Sequence, residues 1–302
     1  MGRWLENQTV RHAIASFTSD REVGFRKART EGDDIWFRQC RIQHADILPE
    51  WLSSLEGNKY GVSLYVSTNL VNWNKFPQLP PDFRGVYDKD VMEEWKFNWK
   101  ELMDDAKKYI TGKNIVWDID CKENLMEAFH KADVICEVLH EKELKPRMVF
   151  SGGKGFHIWL TVEDTITLTD YNISEVDDYP ADTLQQLSRI HRDWVKAVSQ
   201  EALGKELPYL DESPNFRQGI IRCPYSIHHK TGQVVWPLDG KELEELRKYS
   251  MDDELTVSDI AKLIHNWEIP NQSPLVSDGS STWIHPEADV FNRGLPEWTP
   301  PE

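Results

Sequence analysis

The central part of the chain begins with a hydrophobic run that two acidic residues interrupt. Residues 114–120 are Asn-Ile-Val-Trp-Asp-Ile-Asp, and their alternation predicts a strand. In that strand Asp118 and Asp120 lie on one face, whereas Trp117 and Ile119 lie on the other. The pattern therefore predicts a strand with an apolar face toward a core and two carboxylates on the opposite face.

The elements that follow are predicted from helical or alternating periodicity and from glycine breaks. In order they are a helix over 122–144, a strand over 147–150, a glycine turn over 151–155, a strand over 156–161, a long helix over 181–203 and a strand over 219–223. This β-α-β-β-α-β order is ferredoxin-like, so we predict an α+β fold with a ferredoxin/RRM-like palm. The first strand then lies between the third and the fourth, which places Asp118 and Asp120 between His157 and Arg222.

Residues before the palm have the pattern of a separate α/β module, predicted to span about 1–112. Its elements are strands over 36–41 and 61–67 and helices over 45–55 and 90–110. We place the palm at about 113–240, the catalytic core as a whole at 1–250, and a C-terminal helix and surface tail at 251–302.

Length and composition indicate a folded, intracellular protein. The chain has 302 residues, of which 39% are hydrophobic and 13 are Trp. We expect no signal peptide and no membrane span, because no run approaches the roughly 18 apolar residues that a span requires. The four cysteines are widely scattered, which favours reduced thiols in the cytoplasm: Cys40, Cys121, Cys136 and Cys223.

The net charge is −16, from 35 basic and 51 acidic residues. Strong autonomous binding to nucleic acid is not expected, because neutralisation of phosphates dominates such affinity. The stretch 217–230 is nevertheless basic, so a local basic groove on an acidic body is compatible with the composition.

Three carboxylates are candidates for one site. Two carboxylates that lie close together both ionise readily only when a cation is near them, although an isolated Asp-x-Asp also fits a solvated sheet face. Asp211 lies just before the last predicted palm strand, where it can join Asp118 and Asp120.

A glycine-rich turn is the second candidate segment. Residues 151–157 are Ser-Gly-Gly-Lys-Gly-Phe-His. Glycines let backbone N–H groups approach a phosphate closely, and Ser151 and Lys154 add a hydroxyl and a cation. An ordinary hairpin turn followed by a core histidine, His157, is the alternative interpretation.

A polar and basic segment is the third. Arg222, Ser226, His228 and Lys230 fall within nine residues, in a pattern that fits one side of a nucleoside triphosphate. A solvated basic turn would show the same composition.

These segments together resemble the three motifs of the archaeo-eukaryotic primases. The Asp-x-Asp strand, the turn at 151–157 and Arg-Cys-Pro-Tyr-Ser-Ile-His-His-Lys-Thr-Gly at 222–232 occur in the same order and on the same elements. The last is similar to the primase small-subunit pattern Arg-x-Pro-x-Ser-x-His-x-Lys-Thr-Gly. Residues 211–226 also resemble the polymerase domains of end-joining ligases, and Arg21–Phe25 resembles the primase N-terminal segment.

The resemblance implies a polymerase-type nucleotidyltransferase that uses two divalent ions, Mg²⁺ or Mn²⁺. It implies Asp118, Asp120 and Asp211 as catalytic metal ligands. It implies a set of nucleotide-binding residues as well: Ser151, Lys154, His157, Arg222, Ser226, His228 and Lys230.

The resemblance also implies a role in DNA replication, as the catalytic small subunit of a DNA primase or a stand-alone primase-polymerase, from an archaeon or an archaeal mobile element. The implied partners are single-stranded DNA template, NTP or dNTP, and a primase large subunit or another replication protein. Two alternatives remain open: a gap-filling repair polymerase of the end-joining type, and a ferredoxin-like module that binds nucleotide or RNA without catalysis.

Zinc is not expected. Primase small subunits commonly carry a zinc knuckle near the first two motifs, but Cys136 and His140 share a helix face without Cys121 and His130 at ligand spacing.

Overall fold

The computed structural model describes residues 7–27, 35–42, 62–75, 90, 93, 109–121, 124–160, 183–204, 209–238, 240–250 and 253–265. The predicted helix over 45–55, most of the predicted helix over 90–110 and the tail from 266 lie outside these ranges.

The described elements are numbered here in chain order. They are α1 (Gln8–Thr18), β1 (Val23–Lys27), β2 (Ile35–Cys40), β3 (Val62–Ser67), β4 (Asn69–Val71), β5 (Ile110–Lys113), β6 (Ile115–Asp120), α2 (Leu125–Glu141), β7 (Arg147–Phe150), β8 (Gly155–Leu160), α3 (Thr183–Leu203), β9 (Leu210–Asp211), β10 (Ile220–Arg222), β11 (Trp236–Pro237), α4 (Gly240–Leu246) and α5 (Val257–His265). Short 3₁₀ turns lie at Trp73–Lys75 and Ser213–Asn215.

The palm is a five-stranded sheet in the order β11-β7-β8-β6-β9. Strands β9, β6, β8 and β7 have the ferredoxin-like arrangement, and β11 extends one edge. The predicted α+β class and palm are confirmed. Alternation along β6 puts Trp117 and Ile119 on the face that α2 and α3 cover, where both side chains are buried.

Helix α2 forms where its sequence predicts. Asn124 caps it by accepting hydrogen bonds from the backbone N–H groups of Met126 at 2.9 Å and Glu127 at 3.2 Å. The predicted apolar stripe is buried: Leu125, Phe129, Ala132, Cys136 and Leu139. Phe129 contacts Phe156 of β8 with ring centroids 5.6 Å apart, which anchors the helix on the palm.

The second sheet has the order β10-β3-β1-β2 and is antiparallel throughout. Phe17 of helix α1 contacts Trp159 of the palm strand β8 with ring centroids 5.5 Å apart. Trp159 is two residues from His157, so this contact lies on the palm face that also carries Asp118. None of the helices in the described part of the chain combines the length and apolar composition that crossing a bilayer requires.

The predicted fourth palm strand was wrong. Residues 220–222 form β10, which pairs with β3 of the other sheet, and the fourth palm strand is the two-residue β9. Arg222 is therefore not the strand neighbour of Asp118 that the sequence predicted; Asp211 is.

The side chain of Asn215 explains this difference. Its Oδ1 accepts from the Val116 N–H at 3.0 Å, and its Nδ2 donates to the Val116 carbonyl oxygen. Both backbone groups of Val116 on this edge of β6 are thus already paired, so the chain beyond Asn215 leaves the palm and pairs with β3 instead.

Candidate active site

Three acidic residues come together at the β9 edge of the palm. Asp118 lies directly opposite His157 of β8 on one side and Asp211 of β9 on the other. Asp120 shares the face of Asp118 and lies opposite Gly155. Residues that are 93 positions apart in the sequence, Asp118 and Asp211, are thus cross-strand neighbours.

The Asp118 carboxyl group is strongly perturbed. Burial, together with the charges of Asp120 and Asp211, raises its pKa from 3.8 to about 8, although Arg222 and Lys154 act in the opposite direction. Burial is the largest cause, and repulsion by the two neighbouring carboxylates adds to it. A bound cation would relieve this repulsion.

Stability should therefore depend on pH through Asp118. Because the folded-state pKa is raised, the unfolded chain binds fewer protons between pH 3.8 and about 8, and stability falls as pH rises through that window. We expect Asp118→Asn to raise the melting temperature in EDTA, with a larger gain at the upper end of the window than at the lower. A gain that does not change with pH would show that Asp118 is not under this electrostatic stress.

Asp120 is engaged differently. Its Oδ2 forms an ion pair at 2.9 Å with Nζ of Lys154 from the glycine turn, and both side chains are partly exposed, at 34% and 45%. Within the described ranges, no group of three or more His, Cys, Asp or Glu residues is arranged to hold a metal ion. In this conformation Lys154 is paired with Asp120, one of the three carboxylates that the family resemblance assigns to metal binding.

The glycine turn lies against β6. A Cβ at Gly155 would collide with the carbonyl oxygen of Ile119, so only glycine fits there. Gly152 has φ +75°, a conformation that glycine adopts without strain. The hydroxyl of Ser151 is buried behind the turn, and no described residue pairs with it.

His157 is buried and neutral. Burial and the nearby Arg222 and His228 lower its pKa well below 6.5. Its Nε2 lies 3.5 Å from Oδ1 of Asp118, and its Nδ1 is buried without a hydrogen-bond partner among the described residues. The predicted adjacency of His157 to the aspartate strand is confirmed.

His228 holds the third segment against the turn. Its Nδ1 accepts from the backbone N–H groups of Lys230 at 3.1 Å and Thr231 at 3.3 Å, so its proton is on Nε2. A Cβ at Gly153 would lie 3.0 Å from that nitrogen, which shows how closely the ring meets the turn. Burial, reinforced by Arg222, lowers the pKa of His228 to about 3, so the ring is neutral.

The other members of the segment differ in exposure. Ser226 is buried and donates to the carbonyl oxygen of Cys223 at 2.7 Å, which gives it a place in the local backbone structure. Arg222 is half-buried, and its Nε has no partner among the described residues. Lys230 is exposed at the end of the segment. His229 is 1% exposed, and its Nδ1 shares a hydrogen bond of 2.7 Å with the hydroxyl of Ser63.

Sequence reasoning gave no positioning role to two residues that hold the site together, Lys113 and Asn215. Lys113 is fully buried and donates to Thr68 Oγ1 at 2.8 Å, Asn69 Oδ1 at 3.0 Å and the Phe216 carbonyl oxygen at 2.9 Å. It thereby fixes the loop that follows Asp211. A lysine directly before the hydrophobic run of the aspartate strand was the available signal.

Comparison with known proteins gives a consistent result. The sequence profile of the family described as "LigD, primase-polymerase domain" matches residues 95–270. The chain is 27% identical over 208 residues to the DNA primase small subunit PriS of Pyrobaculum aerophilum, covering 57% of this chain and 66% of that protein. It is 30% identical over 168 residues to PriS of Pyrobaculum arsenaticum, covering 44% and 54% respectively. The chain thus spans between about half and two thirds of the curated relatives it matches.

A solved structure shows the same fold. The polymerase domain of Mycobacterium tuberculosis Ligase D, determined in complex with DNA, aligns over 88% of this chain and 87% of its own, with a TM-score of 0.52 and 12% identity. At that identity the likeness concerns the fold alone.

Proposed function

The chain belongs to the family of LigD primase-polymerase domains, and we propose that it catalyses template-directed nucleotidyl transfer, as a DNA primase catalytic subunit or a primase-polymerase. The observation that carries the proposal is the register of the palm, which places Asp211 beside Asp118 with Asp120 on the same face. Clustered carboxylates of this kind serve a reaction that needs metal ions, whereas a module that only binds nucleotide or RNA gains nothing from them.

The chemistry of the three carboxylates fits the ions that the family implies, although Asp120 is paired with Lys154 in this conformation. Asp118, Asp120 and Asp211 would hold two Mg²⁺ or Mn²⁺ ions, which prefer carboxylate oxygens. When bound, such ions lower the pKa of an attacking 3′-hydroxyl and stabilise the pyrophosphate leaving group. The raised pKa of Asp118, which burial and the charges of Asp120 and Asp211 cause, supports a bound cation at this cluster.

Lys154 would have to release Asp120 for this role. Both partners of the pair are partly exposed, and exposed ion pairs contribute only about 0–1 kcal/mol. Replacing this ion pair by a divalent ion therefore costs little free energy. Released from Asp120, the Lys154 ammonium is available to a phosphate at the same turn.

Unpaired buried groups support a nucleotide site at the glycine turn. Ser151 Oγ, His157 Nδ1 and Arg222 Nε are buried without partners among the described residues. Leaving such groups unpaired costs about 1–3 kcal/mol each, and a triphosphate lying across the turn would offer oxygens to them. We assign the nucleotide to these groups together with Lys154, His228 and Lys230, with Ser226 supporting the backbone of the segment.

Lys230 gives the cleanest test of the nucleotide assignment, because His228 also holds backbone N–H groups in place. We expect Lys230→Ala to weaken NTP binding by about 10- to 100-fold, the loss of one charge-assisted hydrogen bond of roughly 1.5–3 kcal/mol. Titration with a fluorescent NTP measures it. Lys248→Ala, which removes an exposed lysine paired with Glu245, is the control.

Template affinity should not change in Lys230→Ala. If the variant instead loses single-stranded DNA binding and keeps NTP affinity, this cluster contacts the nucleic-acid backbone. His157→Ala and His228→Ala should weaken NTP binding in the same direction.

Synthesis with and without a primer separates the two polymerase proposals. We propose that the chain starts strands de novo on single-stranded template, as the similarity to the primase small subunits suggests. The assay supplies labelled NTPs or dNTPs and divalent metal, with and without a pre-annealed primer. Products in both reactions support a primase, whereas extension of an existing end alone supports a gap-filling repair polymerase.

A partner subunit is part of the proposal. With a net charge of −16 the chain carries little general attraction for DNA, so a large subunit or another replication protein would supply template affinity. Single-stranded DNA and NTP or dNTP are the proposed substrates.

A further inference from the structure

A cavity of about 600 Å³ lies between β2, α3 and the segment 213–220. Arg38, Arg192 and Arg217 line it, and no acidic side chain does so within the described part of the chain. In a chain with a net charge of −16, a cavity whose described lining has three guanidinium groups and no carboxylate is a local exception. Such a lining selects an anionic ligand.

The cavity also presents an aromatic ring. Phe216 is 47% exposed, and within the described ranges no other large hydrophobic side chain is classed as exposed. The guanidinium of Arg192 lies 5.0 Å from the centroid of its ring. A ring that is stacked by arginine on one side and open to solvent elsewhere provides a surface for a second planar group.

The backbone that carries this ring is fixed in place. The carbonyl oxygen of Phe216 accepts from Nζ of Lys113 at 2.9 Å, and that of Arg217 accepts from Nδ2 of Asn69 at 2.8 Å. Both hydrogen bonds are made to backbone carbonyl oxygens. The position of this loop therefore does not depend on the Phe216 side chain. Truncation of the ring therefore leaves the loop intact.

One wall of the cavity is rigid as well. Arg38 donates to both carboxylate oxygens of Glu22 at 3.1 and 3.2 Å, and to the Gln218 carbonyl oxygen at 2.9 Å. Its charge is largely balanced by Glu22.

The cavity adjoins the aspartate cluster. Ser213 lines it, and the backbone N–H of Ser213 donates to Oδ1 of Asp211 at 2.8 Å. A ligand in the cavity thus lies next to the end of β9 at which Asp211 is placed.

We propose that this cavity holds an unpaired nucleotide of the single-stranded DNA template, with the base stacked on Phe216 and a phosphate bound by Arg192 and Arg217. The choice of template as ligand rests on the proposed function. A planar base and an adjacent phosphate are the two groups that a ring between arginines binds. The pocket would give this acidic chain its own contact with template beside the reaction centre.

Binding of a fluorescein-labelled oligo(dT), followed by anisotropy without metal or nucleotide, tests the proposal independently of catalysis. We expect Phe216→Ala to weaken binding by about 5- to 100-fold, the usual contribution of one base stacked on an aromatic side chain. Arg192→Ala should make the slope of log affinity against log salt shallower by about 0.7, the value for one phosphate contact on a single strand. Arg189→Ala is the matched control, because it removes the same charge from α3 at an exposed position outside the cavity lining.

Wild-type affinity for Phe216→Ala would overturn the proposal. So would a Phe216→Ala variant that keeps oligo(dT) affinity but loses affinity for free ATP, since the cavity would then bind a free nucleotide. Oligo(dT) binding that depends on Phe216 in a protein that incorporates no nucleotide would uphold the cavity and reject the polymerase function. If Phe216→Ala changes neither incorporation nor oligo(dT) affinity, the polymerase function is upheld and the cavity proposal is rejected.

Discussion

Replacing Asp118 and Asp120 together by asparagine is expected to abolish nucleotide incorporation. Asparagine keeps the shape of the side chain but removes the charge that would hold a divalent ion on the shared face of β6. Loss of that charge removes several kcal/mol of transition-state stabilisation, so the rate should fall by at least about a thousandfold, or roughly 4 kcal/mol. The fold should persist, because the substitution relieves repulsion at Asp118 in the metal-free protein.

The measurement is extension of a labelled primer under single-turnover conditions with metal present. Asp193→Asn is the control, since it makes the same chemical change at a partly exposed aspartate of α3 that pairs with Arg189. A double variant that folds and incorporates nucleotides at the wild-type rate would end the two-metal proposal.

Truncation of Asn215 should give the largest loss of stability. Asn215 is fully buried, and its amide pairs with both the N–H and the carbonyl oxygen of Val116. Asn215→Ala leaves both of these buried backbone groups without partners, at a cost of about 1–3 kcal/mol each. We therefore expect the free energy of unfolding to fall by about 2–5 kcal/mol.

Urea denaturation measures this loss, with Asn74→Ala as a control at an exposed asparagine. The control should change stability by no more than about 0.5 kcal/mol. A loss below about 1 kcal/mol in Asn215→Ala would mean that water replaces the amide on Val116, and that Asn215 does not determine where the palm sheet ends.

The sequence was sufficient where periodicity was strong and contacts followed the alternation of strands. The aspartate strand, the helix with Leu125 and Phe129 on its buried stripe, and the pairing of Asp118 with His157 all follow from patterns of two or of 3.6 residues. The glycine turn was also predictable, because three glycines before an alternating run leave few other structures.

The last part of the palm could not be predicted in the same way. Strand β9 has only two residues, Leu210–Asp211, which is too short to show periodicity. The preference of 220–222 for the other sheet depends on which strand edges remain unpaired, and that is a property of the assembled fold. Arg222 nevertheless lies close enough to Asp118 to lower its pKa, so the predicted proximity arises through a different sheet.

The individual roles within the basic segment were also beyond the sequence. His228 and Ser226 stand in one motif with Lys230, yet His228 and Ser226 are buried and Lys230 is exposed. Composition gives the same weight to all three, whereas in the structure the side chains of Ser226 and His228 bond to backbone groups and that of Lys230 does not within the described ranges. The assignment of each residue to the nucleotide stays a prediction.

The most direct test of template-directed nucleotidyl transfer is to measure which nucleotide is added opposite each template base, with and without divalent metal. The wild-type chain is given a labelled primer on four templates that differ only in the first unpaired base, and each is supplied with one nucleotide at a time. We predict that, with Mg²⁺ or Mn²⁺, each template directs addition of its complementary nucleotide, and that EDTA stops all four reactions. Addition that ignores the template base, or the absence of any metal-dependent addition on all four templates, would contradict the account.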